Sequence, residues 1–224
     1  MLKQTTLKKH NLCLFVLALF FLVFGMSVHA ISAEKPDKIS IGTFADPSTC
    51  KIGWEKGWFQ EATGVETDWQ TFDTGADVIM SLASGDLDIA SLGSTPTTIA
   101  LARDVNLKVI AVEMDLAENE ALIVDEDIDV MPDLKGQTIA VPFSSTCHYA
   151  MMRTLKMYNI STSDMNVLDM GSMEAAGAFK GGMIDGAWVW DPAYTEMLNA
   201  GGHILITSGM VGKMGYPTWN NIVV

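Results

Sequence analysis

Two distant stretches of this chain carry the same punctuation. Ser84-Gly85-Asp86-Leu87-Asp88-Ile89-Ala90 and Gly181-Gly182-Met183-Ile184-Asp185-Gly186-Ala187 each place Gly after a helical segment, then Asp, then a short small-residue strand. Each runs on to a polar cluster ending in Pro, Gly93-Ser94-Thr95-Pro96 in one and Trp190-Asp191-Pro192 in the other. Gly in that place caps a helix in the left-handed conformation. The polar cluster then falls at the carboxyl end of a strand, the edge of an open parallel sheet where ligands bind. Gly-x-x-Asp alone is common turn chemistry, and the shared polar ending is what makes the pair informative. Two such half-units, split near Glu120–Met131, imply two lobes facing each other across a cleft.

The segments between these marks alternate in period. Lys38–Phe44, Thr67–Phe72, Asp88–Leu92 and Lys108–Val112 read as strands, separated by helices over Ile52–Ala62, Ala76–Ser84 and Thr95–Ala102. The rhythm restarts with strands at Thr138–Val141, near Val167, at Gly186–Val189 and at Ile204–Ile206. Helices fall between them over His148–Tyr158, around Glu174–Phe179 and over Ala193–Ala200. Short apolar strands separated by helices predict parallel sheets covered on both faces. The fold class is α/β.

The first thirty residues differ in kind. Lys3, Lys8 and Lys9 precede an apolar run from Leu12 to Val28, and Val28-His29-Ala30 or Ile31-Ser32-Ala33 supplies small residues for cleavage. This is the pattern of a secretory leader over residues 1–30. Cys13 inside the apolar run lacks the small residues a lipid-anchor signal places before it. The whole chain carries a formal charge of −13, and losing three lysines with the leader takes it to −16. Such a surface repels phosphate backbones and anionic lipid, so nucleic acid is excluded as a partner. Cys50 and Cys147 remain after export and are read as free thiols.

The run Thr138–Tyr149 and the segment Trp188-Val189-Trp190-Asp191-Pro192 carry the chemistry. In the first, an apolar strand meets Ser145, Thr146 and His148 where a helix begins, a junction that aims backbone N–H groups at one point and seats an anion. In the second, a strand ends in two indoles and a carboxylate, groups suited to a small cation. Together they suggest a small zwitterion. A His beside a Cys without a nearby third ligand does not make a metal site. Ser145, Cys147 and His148 lack an orienting acid for nucleophilic catalysis. No catalytic residue, metal or cofactor is therefore assigned.

Several runs in order along the chain resemble the taurine-type periplasmic substrate-binding proteins of ABC importers. They are Ile41-Gly42 through Asp46-Pro47-Ser48, Ala83–Asp86, Leu92–Pro96, Glu120–Val124, Asp133–Gly136, Ala140–Phe143, Ser145–Tyr149 and Val189–Ala193. Ser-Thr-x-His-Tyr and Trp-Asp-Pro-Ala look like the taurine branch of a group that also binds alkanesulfonates, nitrate and thiamine precursors. The resemblance implies a two-lobed, type II clamp that closes on taurine or a related sulfonate and docks, as a monomer, to an inner-membrane permease. It implies a periplasmic location and no enzyme activity, the rival reading being a lyase-type enzyme on the same fold. It divides the chain into lobe one (31–123), lobe two (124–215) and the start of a return crossing (216–224). Ile222–Val224 reads as part of a return strand into lobe one with no sheet partner supplied after it, and the family's chain runs on past Val224, so lobe one is expected to be incomplete.

Carried over residue by residue, Ser94 and Thr95 line lobe one, and Thr146, His148 and Tyr149 line lobe two beside Trp190 and Asp191. Glu120 near the hinge and Asp46 at the mouth of the first strand are further candidates. Cys147 stands where a small hydroxyl is expected. A sulfonate offers three acceptor oxygens, for Ser145, Thr146 and backbone N–H groups, while an ammonium needs Asp191 or Glu120. Micromolar affinity requires about −8 kcal/mol, of which two methylenes supply little at about 0.8 kcal/mol each. Charge-assisted hydrogen bonds at roughly 1.5–3 kcal/mol apiece must supply the rest.

The leader reading carries the first prediction. N-terminal mass spectrometry of protein from an exported fraction is expected to find Ile31 or Glu34 as the first residue. Intact Met1 in a membrane fraction would overturn it.

Overall fold

Ile39 and Ile41 alternate with polar or small residues, and the chain enters its first strand, β1 (Lys38–Phe44), as that period requires. The computed structural model describes residues 35–46 and 48–224. The leader over residues 1–30 lies outside the described residues. Helices α1 (Thr49–Glu55) and α2 (Trp58–Thr63), strand β2 (Glu66–Phe72), α3 (Gly75–Ser84), β3 (Ile89–Gly93), α4 (Ser94–Ala102) and β4 (Val109–Asp115) follow. A 3-10 turn at Ala117–Asn119 leads to β5 (Glu120–Val124) in a second sheet. There come β6 (Thr138–Val141), α5 (Thr146–Met157), β7 (Asn166–Asp169), α6 (Ser172–Lys180), β8 (Gly186–Trp190), α7 (Ala193–Asn199), β9 (His203–Thr207) and α8 (Ser208–Lys213). The chain then returns to the first sheet as β10 (Trp219–Val223).

The two sheets repeat one plan. The first runs β2-β1-β3-β10-β4 and the second β7-β6-β8-β5-β9. In each, the strand in fourth place arrives from the opposite side of the molecule and pairs antiparallel with both neighbours. Each sheet is therefore largely parallel, as the strand–helix rhythm predicts, with one reversed inner strand that makes it mixed. All of Pro36–Val224 forms one unit.

Strand alternation sorts the second sheet's side chains into two layers. Leu122, Val124, Ile139, Val141 and Trp188 face α5 and α8. Ala121, Ile123, Ala140, Ala187 and Val189 face α6 and α7. All five residues of β5 are buried, since it is an inner strand covered on both faces. In the first lobe Phe44, Ala90, Leu92 and Val223 pack with Val78 of α3 and Ala100 of α4. Trp54 stacks on Trp69 with centroids 5.2 Å apart, joining α1 to β2 on the other face.

Four points of the sequence reading meet the structure here. The helix read over Ile52–Ala62 is two helices, because Gly57 adopts φ 69° and turns the chain between them. The stretch Glu120–Met131, read as the division between half-units, begins with β5. The first crossing thus precedes Glu120, and β5 belongs to the second lobe's sheet, not the first. Helix α8 was not foreseen. The strand at Ile222 returns to the first lobe as expected and takes both its partners from earlier in the chain: it lies between β3 and β4, hydrogen-bonded to both.

That insertion makes Val223, fully buried in the first-lobe core, a test of β10. Val223→Ala removes two buried methyl groups and is expected to destabilise the protein by about 1–3 kcal/mol in urea titration. A loss near zero would show that the strand does not hold this place in solution.

Candidate functional site

Three helices begin at one cavity. Its volume is about 310 Å³, and both lobes and the first chain crossing line it. At the start of α3, Thr74 caps the Asp77 N–H, leaving the first-turn amides of Gly75 and Ala76, two cavity-lining residues, without intrahelical partners. Helix α4 begins at Gly93, which has no side chain to cap with, and Pro96 in its first turn has no N–H to offer. At the start of α5, Ser145 takes the His148 N–H at 3.1 Å, so the Thr146 and Cys147 amides remain. Each terminus carries a partial positive charge, and several beside one cavity favour a negatively charged group there. Gly93 also lets the lobes approach: a Cβ there would stand 2.9 Å from the Thr146 methyl group.

Glu120 occupies the floor of the cavity and is 2% exposed. Its Oε1 accepts from the Thr146 hydroxyl. Its Oε2 accepts from Ser208 at 2.9 Å and from Thr218 at 3.4 Å. The Trp188 indole N–H donates to the Ser208 oxygen at 3.3 Å, so the Ser208 proton is directed to the carboxylate. Burial pushes the Glu120 carboxyl above its ordinary range, and the hydroxyls, with the Cys147 thiol, pull it back. Burial and the Glu120 charge together push the Cys147 thiol well above its usual value. The Thr146 hydroxyl is turned to Glu120, so what α5 presents to the cavity is backbone N–H.

The other candidates take varied places. Asp46 and Asp191 line the cavity, as do Ser145 and Trp190. Trp190 meets Phe44 of the opposite lobe edge to face, with centroids 6.2 Å apart. Trp188, two residues earlier on the same side, is core. Asp191 Oδ1 accepts from the Thr195 N–H at 3.1 Å and the Thr195 hydroxyl at 2.5 Å, which ties it to the first turn of α7. Thr95, His148 and Tyr149 line a separate depression with Arg153 and Lys156. His148 stacks on Phe143, accepts the Ser144 N–H on Nδ1 at 3.1 Å, and has its pKa lowered by burial. Ser94 accepts the Trp219 N–H at 3.4 Å, joining α4 to β10.

Sequence reading missed Phe44, Thr74, Gly75, Arg103 and Asn220, all of which line the cavity. Thr74-x-x-Asp77 is a helix-start signature and was the one available signal. The others reach the cavity through sheet topology alone.

Two mixed sheets in one shared order, joined by two crossings with a cavity between them, define the type II architecture of periplasmic binding proteins. The chain belongs to the NMT1/THI5-like family, whose profile matches residues 51–207. It is 36% identical over 180 residues to the taurine-binding periplasmic protein of Escherichia coli K12, covering 80% of this chain and 55% of that protein. It thus spans little more than half the length of that relative. Its fold is similar to the alkanesulfonate-binding protein SsuA of Xanthomonas axonopodis pv. citri bound to MOPS. That match has a TM-score of 0.74 at 21% identity, covering 85% of this chain and 66% of that one. The periplasmic aliphatic sulphonate binding protein SsuA of Escherichia coli matches with a TM-score of 0.71 at 23% identity, covering 84% and 65%.

Asp46 supplies a pH test. Burial first and the Glu113 charge second push its carboxyl up to about 6, while Lys51 pulls it down. The folded protein therefore holds this proton more tightly than the unfolded chain, whose carboxyl titrates near 3.9. Stability from this group is complete below about pH 4 and is lost as pH rises through 6, by up to about 3 kcal/mol. Asp46→Asn is expected to raise the thermal midpoint at pH 7.5 and leave it almost unchanged at pH 4. A difference that does not vary with pH would contradict this account.

Proposed function

We propose that this chain captures a small sulfonate and delivers it to an ABC importer, with taurine as the leading ligand. The convergence of three helix N-termini on one two-lobed cavity carries the reading. A sulfonate stays ionised across the physiological range, so its seat needs fixed donors and no titrating partner, and backbone amides at helix starts are such donors. The 36% identity to a protein named for taurine binding supports the choice of ligand. The chain acts by binding and release, as a monomer, and its exported location follows from the leader. Among the described residues no helix is long and apolar enough to cross a membrane. In this reading closure of the lobes on the ligand makes the surface that the inner-membrane permease recognises.

A second ligand class has its own support. Taurine has about seven non-hydrogen atoms, whereas a cavity near 310 Å³ falls at the lower end of the range for larger ligands. Its apolar wall includes Phe44, Ile79, Met80, Ile99, Met114 and Trp190. That wall suits the alkyl chain of a longer alkanesulfonate, worth about 0.8 kcal/mol per buried methylene.

Calorimetric titration with taurine, ethanesulfonate, butanesulfonate and nitrate separates these readings. Taurine is expected to bind in the micromolar range, about −8 kcal/mol. Affinity rising from ethanesulfonate to butanesulfonate, past taurine, would move the assignment to alkanesulfonates. Binding of nitrate alone would remove the sulfonate reading altogether.

A further inference from the structure

Three carboxylates line the cavity, and they are not equivalent. Glu120 has both oxygens occupied by hydroxyl donors. Asp191 has Oδ1 occupied by Thr195 and stands at the start of α7. Asp46 differs: its Oδ1 is buried with no hydrogen-bond partner. It lies on the loop after β1, on the lobe-one side of the cavity.

The surroundings of Asp46 repeat that deficiency. Thr43 and Ser91 lie on adjacent strands, and the register of β1 with β3 puts them side by side on one sheet face. Ser91 donates to Glu113 Oε2 at 2.5 Å, while Glu113 Oε1 is buried without a partner. Thr43 Oγ1 and Ser48 Oγ are likewise buried and unpartnered, in residues 2% and 3% exposed. Ser48 lies near enough to favour the Asp46 carboxylate yet outside hydrogen-bonding geometry. The Cys50 thiol is turned to Glu113 and is pushed up to about 12, by burial first and then by Glu113. Lys51 is the cation that acts on Asp46 from this side.

A carboxylate that feels a second negative charge and keeps an unfilled acceptor is unfavourable unless a donor of positive charge arrives. An alkylammonium has three N–H donors and one charge, which suits Asp46, the member of this group that lines the cavity. Phe44, two residues before Asp46, and Trp190 opposite it give this end of the cavity aromatic faces, against which a cation is also favoured. We infer that Asp46, backed by Glu113, is the group that reads the cationic end of a zwitterionic ligand, and that neither Glu120 nor Asp191 does so. This rests on the reading of the helix starts as the anion seat. It makes Asp46 the residue that separates amino-sulfonates from plain alkanesulfonates, because a ligand without an ammonium leaves the carboxylate unpaired.

Calorimetric titration of the full chain with taurine and with ethanesulfonate tests this, comparing the parent with Asp46→Asn, Glu113→Gln and Asp191→Asn. The parent is expected to prefer taurine. Asp46→Asn should weaken taurine at least about thirtyfold while ethanesulfonate binds as well or better. Retained ethanesulfonate binding also shows that the variant is folded. Glu113→Gln should shift the taurine-to-ethanesulfonate ratio the same way by a smaller factor, which preserves the test if Asp46→Asn does not fold. Asp191→Asn should leave that ratio within about threefold. A parent that binds both ligands equally, or an Asp46→Asn variant that loses both equally, overturns the cation seat and leaves the sulfonate site standing. A ratio that collapses in Asp191→Asn instead transfers the role to Asp191. A parent that binds neither ligand overturns the sulfonate reading, and this inference with it.

Discussion

A carboxylate with almost no access to water holds the two lobes and the start of α5 in one arrangement. Glu120 begins β5 just after the first crossing, Thr218 ends the second crossing, Ser208 starts α8, and Thr146 starts α5. Burying a charge in this way is costly, by several kcal/mol, unless its lone pairs are filled. Here three hydroxyls and a thiol fill them, and the Trp188 indole fixes the direction of one. Removing a single donor would leave a buried acceptor open, at about 1–3 kcal/mol. Both crossings also meet through backbone, since the Leu116 N–H donates to the Thr218 carbonyl at 3.1 Å. The hinge and the floor of the site are thus one structure, and any shift of one lobe on the other is felt at the first turn of α5.

The shared strand order explains why the cavity lies where it does. In each sheet the strands from the first, second and third places end at the cleft side, and the helices that follow begin there. Each fourth-place strand runs antiparallel because it comes from the opposite lobe. Consequently helix starts accumulate on the cleft, three of them with first-turn residues lining it. The positive ends of these helices face inward for a topological reason, without any need for basic side chains. Arg103, at the end of α4, is the cationic side chain among the lining residues.

Much of this was legible from residue pattern, and the exceptions have identifiable causes. Strands and helices bounded by Gly or by hydroxyl caps, such as α3 between Thr74 and Gly85, could be read from local signals. Strand β5 could not, because Glu-Ala-Leu-Ile-Val shows no alternation when both faces are buried. The pairing of β10 could not, because its partners are fixed by residues far away in sequence. Glu120 looked like a free acceptor for an ammonium, since its donors lie 26, 88 and 98 positions along the chain. Thr146 was assigned to the ligand for the same reason. The helix-start chemistry at Ser145 was readable locally. The place where α3, α4 and α5 converge became apparent only from the sheets.

The net charge sets the last constraint on the ligand. An acidic chain proposed to bind an anion works against its own field, and the free amides at the starts of α3 and α5 would have to outweigh it locally. Surface charges beyond about 8–10 Å are largely screened at physiological ionic strength. The carboxylates lining the cavity are not screened in that way, because they share its low-dielectric walls. For a monoanion the unfilled Asp46 oxygen would be a repulsive neighbour, whereas for a zwitterion the same oxygen would be a partner. A ligand with zero net charge also adds nothing to the protein's excess of negative charge. Under the proposed function the arrangement would oppose simple anions by repulsion at one end while a sulfonate occupied the other. Selectivity of that kind needs no tighter fit around the sulfonate, since it comes from what is left unpaired when the wrong ligand enters.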